Sequence, residues 1–181
     1  MRSLARLLGS AAFGALLVGV PLLAQGIKID YNPSVNFKLL KSYSWQKIHA
    51  TDPQVEQRIS AAVDRDLANL ALHEVDKNAD VVITVVEVAK DPQEYTTFYN
   101  SLSGFTWRRG WGTGGFADSI RSVRRIPLGT LVFDMYDGKT HKLLWRATVD
   151  EFVSKSTDKN DQTMDKAING MLDKFPPKKE K

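Results

Sequence analysis

The chain begins with an uncharged apolar run that follows two arginines. Arg2 and Arg6 precede the apolar residues 7–20, and residues 21–24 (PLLA) add a helix break and a small residue at the end. This order of positive, apolar and small-residue regions is typical of a secretory signal peptide. We therefore expect residues 1–24 to be a signal peptide. The alternative is an uncleaved membrane anchor, which the glycines and the proline of the run disfavour.

Two short segments after the signal alternate apolar and polar residues. They are residues 27–31 (IKIDY) and 42–46 (SYSWQ), and a period of two predicts β-strands. The sequence Asp52-Pro53 then supplies a cap residue and a proline at a first helical position. Apolar residues recur on one helical face as far as Leu70, which predicts a helix of about five turns.

A dense run of β-branched residues follows at 81–88 (VVITVVEV), and Asp91-Pro92 ends it. Such a run predicts a central strand that is buried on both faces or nearly so. The next segment, 94–102 (EYTTFYNSL), is rich in strand-forming residues. We interpret it as a further strand.

The clearest local pattern is a β-hairpin. Residues 129–138 alternate between two faces, Asp137-Gly138 supplies turn chemistry, and residues 142–153 return as the second strand. At the end of the chain, apolar residues within 161–175 recur at helical spacing. This predicts a second helix packed on one face.

The order of elements is two strands, a helix, four strands and a helix. Short hairpin connections and two amphipathic helices predict the α+β class. We expect a single domain over residues 25–177, with a largely antiparallel sheet of about five to six strands and two helices packed on one face. The lysine-rich tail 178–181 is expected to be disordered.

Composition narrows the class of protein further. The formal charge of +4 falls to +2 without Arg2 and Arg6, leaving 23 basic against 21 acidic side chains, so the total gives no support for nucleic-acid binding. The chain has no cysteine, which excludes disulfides, a thiol nucleophile and a lipid-carrying cysteine. We expect a periplasmic protein that is not a lipoprotein and meets the membrane only through its signal segment or by peripheral contact.

Several short motifs along the chain carry a family resemblance. They are Asp30-Tyr31 with Phe37, residues 41–45 (KSYSW), 79–84 (ADVVIT), 129–134 (GTLVFD), Leu144-Trp145-Arg146, and Phe175-Pro176-Pro177. In this order they resemble the bacterial envelope family named domain of unknown function 4136. The resemblance implies an exported protein without established activity or catalytic residues. Where members tend to have a glycine after the first helix, this chain has residues 70–74 (LALHE), so we expect a different helix end.

Residues 103–122 form a loop rich in glycine, arginine and tryptophan. Aromatic faces combined with guanidinium groups bind phosphates, sugars and lipid headgroups, so the expected partners are an envelope protein, a lipid headgroup or a cell-wall glycan. The alternative is that the tryptophans pack on the sheet while the arginines stay solvated or pair with acids. The candidate ligand-binding residues are Trp107, Arg108, Arg109, Trp111, Arg121, Arg124 and Arg125.

Other candidate chemistry in the sequence is weak. The glycines at 110–115 fit a dinucleotide pattern but lack its flanking strand and helix, and the three histidines have no partner at metal-ligand spacing. We expect no cofactor, no metal and no catalytic residue. Asp134 and Asp150 are able to meet across the hairpin as paired acids, although we favour a cross-strand pair of one of them with Arg146.

The sequence therefore predicts the function only in broad terms. We expect an exported envelope protein of unknown activity that acts as a non-enzymatic binding or structural module. The alternative is a carboxylate-dependent hydrolase or transferase acting on an envelope substrate.

Overall fold

The computed structural model describes residues 26–102, 128–150 and 157–177 of the chain. The predicted signal peptide (1–24), loop (103–122) and tail (178–181) lie outside the described residues. The remaining predictions fall on the described part and are compared with it below.

In the described residues six strands form one mixed sheet. They are β1 (Ile27–Tyr31), β2 (Ser42–His49), β3 (His73–Glu74), β4 (Val81–Val88), β5 (Thr130–Asp137) and β6 (Leu143–Val149). Their order in the sheet is β1-β6-β5-β4-β2-β3. The pairs β1–β6, β6–β5 and β5–β4 are antiparallel, whereas β4–β2 and β2–β3 are parallel. The expectation of a largely antiparallel sheet is therefore wrong.

The parallel pairing follows from the helix that connects β2 to β4. This helix, α1, spans Pro53–Asn69 and begins as the sequence predicts, because the Asp52 carboxylate accepts the Gln54 N–H at 2.7 Å. A helix of this length measures about 25 Å, close to the roughly 26 Å of an eight-residue strand. The helix therefore returns the chain to the end where β2 began, and β4 runs beside β2 in the same direction.

Two helices cover one face of the sheet, as predicted. They are α1 and the C-terminal helix α3, which spans Thr157–Leu172. Both bury an apolar stripe in the larger core against the central strands. No helix in the described ranges has the length and apolar character needed to cross a membrane. The fully buried side chains of this layer include Ile59, Val63, Leu67, Ile168 and Met171 from the helices and Ile83, Phe133 and Trp145 from the sheet.

The segment interpreted as a strand at 94–102 is a third helix, and the strand prediction is wrong. This helix, α2, spans Gln93–Asn100 and lies on the opposite face of the sheet. Its buried residues are Tyr95, Phe98 and Tyr99, with Leu102 just beyond its end, which is the spacing of one helical face. The sheet is thus covered on both faces, and all eight residues of β4 are buried, as predicted for a central strand.

The hairpin between β5 and β6 is confirmed, and its turn is held by Asp137. The Asp137 carboxylate accepts the backbone N–H groups of Thr140 at 2.6 Å and Lys139 at 3.1 Å, as short acidic side chains do in turns. A Cβ atom added at Gly138 would lie 1.9 Å from the backbone oxygen of Ala79. Glycine is therefore required where this turn crosses the start of β4.

The C-terminal end of α1 has the hydrogen bonds of a Schellman motif. The Leu72 N–H donates to the Leu67 oxygen, and the Ala71 N–H donates to the Ala68 oxygen, both at 3.0 Å. Ala71 takes the position that glycine usually fills, with φ at 60°. The helix end therefore differs from the expected pattern only in having alanine in place of glycine. The usual hydrogen bonds of the motif are kept, and Ala71 is strained by its positive φ.

Candidate functional site

The layer between α2 and the sheet contains a buried polar cluster, which we call the tyrosine–arginine cluster. Its members are Tyr95 and Tyr99 from α2, Asp134 and Tyr136 from β5, and Arg146 from β6. All five side chains are at least 95% buried. Charged residues are rarely buried this far unless they are paired, so the cluster is the most unusual chemistry in the described residues.

The predicted cross-strand pair of Asp134 with Arg146 lies at its centre and is confirmed. The two residues face each other across β5 and β6, and the guanidinium donates through Nε at 2.6 Å and through Nη2 at 2.5 Å to the two carboxylate oxygens. This is the bidentate geometry in which arginine binds carboxylates most strongly. The third guanidinium nitrogen, Nη1, donates to the Tyr95 hydroxyl at 2.9 Å.

The carboxylate of Asp134 also accepts hydrogen bonds from two tyrosines. The Tyr99 hydroxyl donates to Oδ2 at 2.8 Å and the Tyr136 hydroxyl donates to it at 3.0 Å. With the two bonds from Arg146, the carboxylate accepts four hydrogen bonds, three on Oδ2 and one on Oδ1. Asp134 is buried and bound by three side chains, so in this arrangement it holds α2 to the sheet.

Burial and charge fix the protonation states of the cluster. Burial raises the pKa of Tyr95 to about 12 and raises the pKa values of Tyr99 and Tyr136 well above their ordinary value. Burial lowers the pKa of Arg146, but the interactions of the guanidinium with Asp134, Tyr95 and Tyr99 together outweigh burial and raise that pKa well above its ordinary value. At physiological pH the tyrosines are neutral and the arginine is charged.

Asp150, the other acid considered for chemistry on the hairpin, has different partners. Its carboxylate binds the Lys28 ammonium at 2.9 Å and accepts the Thr130 hydroxyl at 3.3 Å. Asp150 follows β6, four residues beyond Arg146, which corresponds to about 13 Å along a strand. Paired glycosidase carboxylates lie within about 10 Å of each other, so the structure does not bring Asp134 and Asp150 together as an acid pair.

A groove of about 330 Å³ lies beside this layer, between β2 and α2. The Lys47 ammonium in its wall bonds the Ser101 hydroxyl at 2.5 Å and lies 5.0 Å from the centre of the Phe98 ring. The groove also carries Asp91 and Glu94. Because its only lysine is held by neighbours and carboxylates share the wall, the groove does not favour one class of charged ligand.

The sequence predicts no metal ligands, and its candidate ligand-binding residues all follow α2 in the chain. In the described ranges no group of histidines and carboxylates has the arrangement of a metal site. The glycine pattern at 110–115 lies outside the described residues. So do all seven candidate ligand-binding residues, Trp107, Arg108, Arg109, Trp111, Arg121, Arg124 and Arg125.

Although this segment is not described, the residues where it leaves and rejoins the fold are. Leu102, at its start, is 5% exposed and packs in the α2 layer. At its end, the Gly129 N–H donates to the Val88 oxygen at 2.7 Å. The segment is therefore inserted between α2 and β5, at two points that the described structure fixes.

Sequence reasoning missed the tyrosines of α2 because it assigned them to a strand. The signal that identifies them is their spacing, since Tyr95, Phe98, Tyr99 and Leu102 recur at helical intervals of three and four residues. An alternating strand would have placed Tyr95 and Tyr99 on one face but Phe98 on the other.

The motifs that frame this fold also match a known family over most of the chain. A model of the family described as a domain of unknown function, DUF4136, matches residues 27–177. The chain belongs to the DUF4136 family. This confirms the resemblance seen in the sequence, and the matched region covers every strand and helix of the described residues.

Solved structures agree with the DUF4136 assignment. A DUF4136 family protein from Bacteroides thetaiotaomicron is similar over 83% of this chain and 95% of its own, with a TM-score of 0.60 and 14% identity. A PDZ domain protein from Parabacteroides distasonis is similar over 86% of this chain but 36% of its own, with a TM-score of 0.57 and 15% identity. At such identities the likeness concerns the fold alone. No curated protein is significantly similar in sequence.

Proposed function

We propose that this DUF4136 protein is a non-enzymatic binding or structural module of the bacterial envelope, exported to the periplasm by residues 1–24. The observation that supports a non-enzymatic role is the setting of Asp134, an acid that the sequence offers for catalysis. Its buried carboxylate accepts four hydrogen bonds from Arg146, Tyr99 and Tyr136 in the layer between α2 and the sheet. Export is supported by the order of positive, apolar and small-residue regions in the N-terminal segment.

We further propose that the insertion between α2 and β5 binds the partner through the tryptophans and arginines of residues 107–125. Arginine forks and aromatic faces suit an anionic lipid headgroup or cell-wall glycan. The residues on either side of it, Leu102 and Gly129, are held in the described structure. Binding residues are often carried by segments that a rigid scaffold positions.

Export is tested by expressing the full chain in a Gram-negative host and measuring the intact mass of the protein in each cell fraction. We expect a periplasmic species that has lost residues 1–24. The matched variant, Arg2→Glu with Arg6→Glu, should be retained unprocessed because a signal peptide needs its positive region. A wild-type chain found intact in the membrane fraction overturns the signal peptide and converts the segment into an anchor.

Binding is tested by sedimentation with vesicles of neutral or partly anionic lipid and with purified peptidoglycan. Arg108→Ala with Arg109→Ala should weaken anionic binding about thirtyfold, at about 1 kcal/mol for each basic side chain near an anionic surface. The control, Lys77→Ala with Lys174→Ala, removes the same charge from exposed sites elsewhere. Equal binding by both variants, or no binding to vesicles and peptidoglycan, overturns the lipid and glycan ligands.

A further inference from the structure

A groove separate from the one beside α2 lies where β1 ends. Its volume is about 720 Å³, which is within the size range of small-molecule sites. Its described lining consists of Tyr31 and residues 33–38 on one side and of Pro176 and Pro177 on the other. We call it the proline–aromatic groove, because four of these residues are prolines or carry aromatic rings on its apolar side.

The apolar part of the lining is anchored in the larger core. Phe37 is 7% exposed, and its ring centre lies 5.6 Å from that of Phe175 and 6.1 Å from that of Tyr31, both in edge-to-face geometry. Tyr31 and Val35 pack against the same core. The groove is therefore pre-formed, which lowers the entropic cost of binding a ligand.

The backbone of the lining segment is held at both ends. At its start, the Asn32 N–H donates to an oxygen of β6 at 2.9 Å, and the Asn32 side chain accepts the Ser34 N–H at 2.9 Å. After its end, the Lys41 N–H donates to the Asp80 carboxylate at 2.8 Å. Lys38 thus extends from a segment whose path is fixed by the rest of the fold.

The charge of the lining has one sign. Lys38 is exposed and is the only charged residue among those described in the lining. It forms no ion pair with another described residue. The Ser34 hydroxyl and the Asn36 amide add neutral hydrogen-bonding groups. In the groove beside α2, by contrast, carboxylates share the wall with the lysine.

We propose that the proline–aromatic groove binds a single-chain anionic amphiphile, a molecule with one acyl chain and one carboxylate or phosphate group. The acyl chain lies against the rings and prolines, where its surface is removed from water. The anionic group pairs with the Lys38 ammonium in a charge-assisted hydrogen bond. An apolar lining with a few polar groups that orient the ligand is typical of small-molecule sites.

This site and the segment 107–125 are at opposite ends of β4. The lining segment is tied to Asp80, which directly precedes β4. Gly129 bonds the last residue of β4, and an eight-residue strand separates the two points by about 26 Å. Arg108→Ala with Arg109→Ala should therefore leave amphiphile binding unchanged, so failure of one proposal is distinguishable from failure of the other.

Binding of the acyl chain is tested by isothermal titration calorimetry of the full chain with octanoate, decanoate and laurate, each below its micelle-forming concentration. The dissociation constant should fall with each added CH₂ group, by up to about fourfold where that group is fully buried. Lauroyl lysophosphatidylglycerol presents a phosphate in place of the carboxylate. Binding of laurate identifies a carboxylate ligand, and binding of the lysophospholipid alone identifies a phosphate ligand.

The role of the cation is tested with Lys38→Met, because methionine keeps an apolar stem and has no charge. We expect the dissociation constant of the bound amphiphile to rise about tenfold, as for loss of a hydrogen bond to a charged group. The control Lys90→Met removes the same charge from an exposed site beyond the other end of β4 and should leave binding unchanged. Circular dichroism establishes that each variant is folded.

The location of binding is tested with single cysteines, which are unambiguous because the chain has none of its own. Ser34→Cys in the groove and Gln57→Cys on the exposed surface of α1 are each labelled with a polarity-sensitive fluorophore. Addition of the amphiphile should shift the emission at position 34 and leave it unchanged at position 57.

Four results would overturn the proposal. The first is that none of the four amphiphiles binds. The second is a dissociation constant that is the same for octanoate and laurate, which would exclude contact of the acyl chain with the groove. The third is equal binding by Lys38→Met and the wild type. The fourth is an emission shift at position 57 without one at position 34, which would place binding elsewhere.

Discussion

The ion pair between Asp134 and Arg146 gives a strong prediction about stability. Asp134→Asn retains an oxygen that accepts from the tyrosines, but it removes the charge that balances the guanidinium. Arg146 is 5% exposed and does not release its proton in proteins, so a charge would remain buried without a counter-ion. Removing one partner of a buried pair costs about 3–5 kcal/mol. We expect the free energy of unfolding to fall by that amount, a large share of the roughly 5–15 kcal/mol of a typical domain.

The assay is urea unfolding followed by circular dichroism, with the slope of the transition compared between variants. The matched control is Asp150→Asn, which breaks the exposed pair with Lys28. Pairs of this kind contribute about 0–1 kcal/mol. If the two substitutions cost the same, the buried pair does not hold α2 in the way described.

A double variant separates the effect of charge from that of packing. Asp134→Asn combined with Arg146→Met leaves no charge in the tyrosine–arginine cluster, and methionine retains much of the apolar stem of arginine. We expect this double variant to be more stable than Asp134→Asn alone, although it carries one more substitution. A loss equal to or larger than that of the single variant would refute the electrostatic explanation.

Three further predictions concern stability. Ala71→Gly should raise the free energy of unfolding by about 1 kcal/mol, because glycine adopts the φ of 60° without a Cβ penalty. An unchanged midpoint of urea unfolding would contradict this. Gly138→Ala should lower it by at least about 2 kcal/mol, since the new Cβ meets the backbone of Ala79, and a thermal melt like that of the wild type would exclude the clash. Burial raises the pKa of Tyr95 from 10.0 to about 12, so the contribution of Tyr95 to the free energy of unfolding should be constant below pH 10. As the pH rises from 10 to 12, this contribution should be lost at up to about 1.4 kcal/mol per pH unit. Tyr95→Phe should therefore lose less stability over this pH range than the wild type.

Elements whose residues carry their own local signal were predictable from the sequence. Asp137-Gly138 between two alternating segments predicts the hairpin, because the turn residues and the strand period agree. Asp52 and Pro53 mark the start of α1 for the same reason, since a cap and a fixed φ act within one turn. The pair of Asp134 and Arg146 follows once the hairpin register is known, because facing positions on one side of a sheet are neighbours.

Tertiary contacts decided the elements whose local signals conflict or are silent. Residues 94–102 have the composition of a strand, but the sheet face below them buries Tyr95, Phe98 and Tyr99 together, and only a helix presents all three to one surface. The parallel pairing of β4 with β2 depends on the two strands being neighbours in the sheet, which the local pattern of each segment does not encode. The sequence by itself thus determined the segments and their turns. The packing of each segment against the sheet decided its direction, its layer and the burial of its charges.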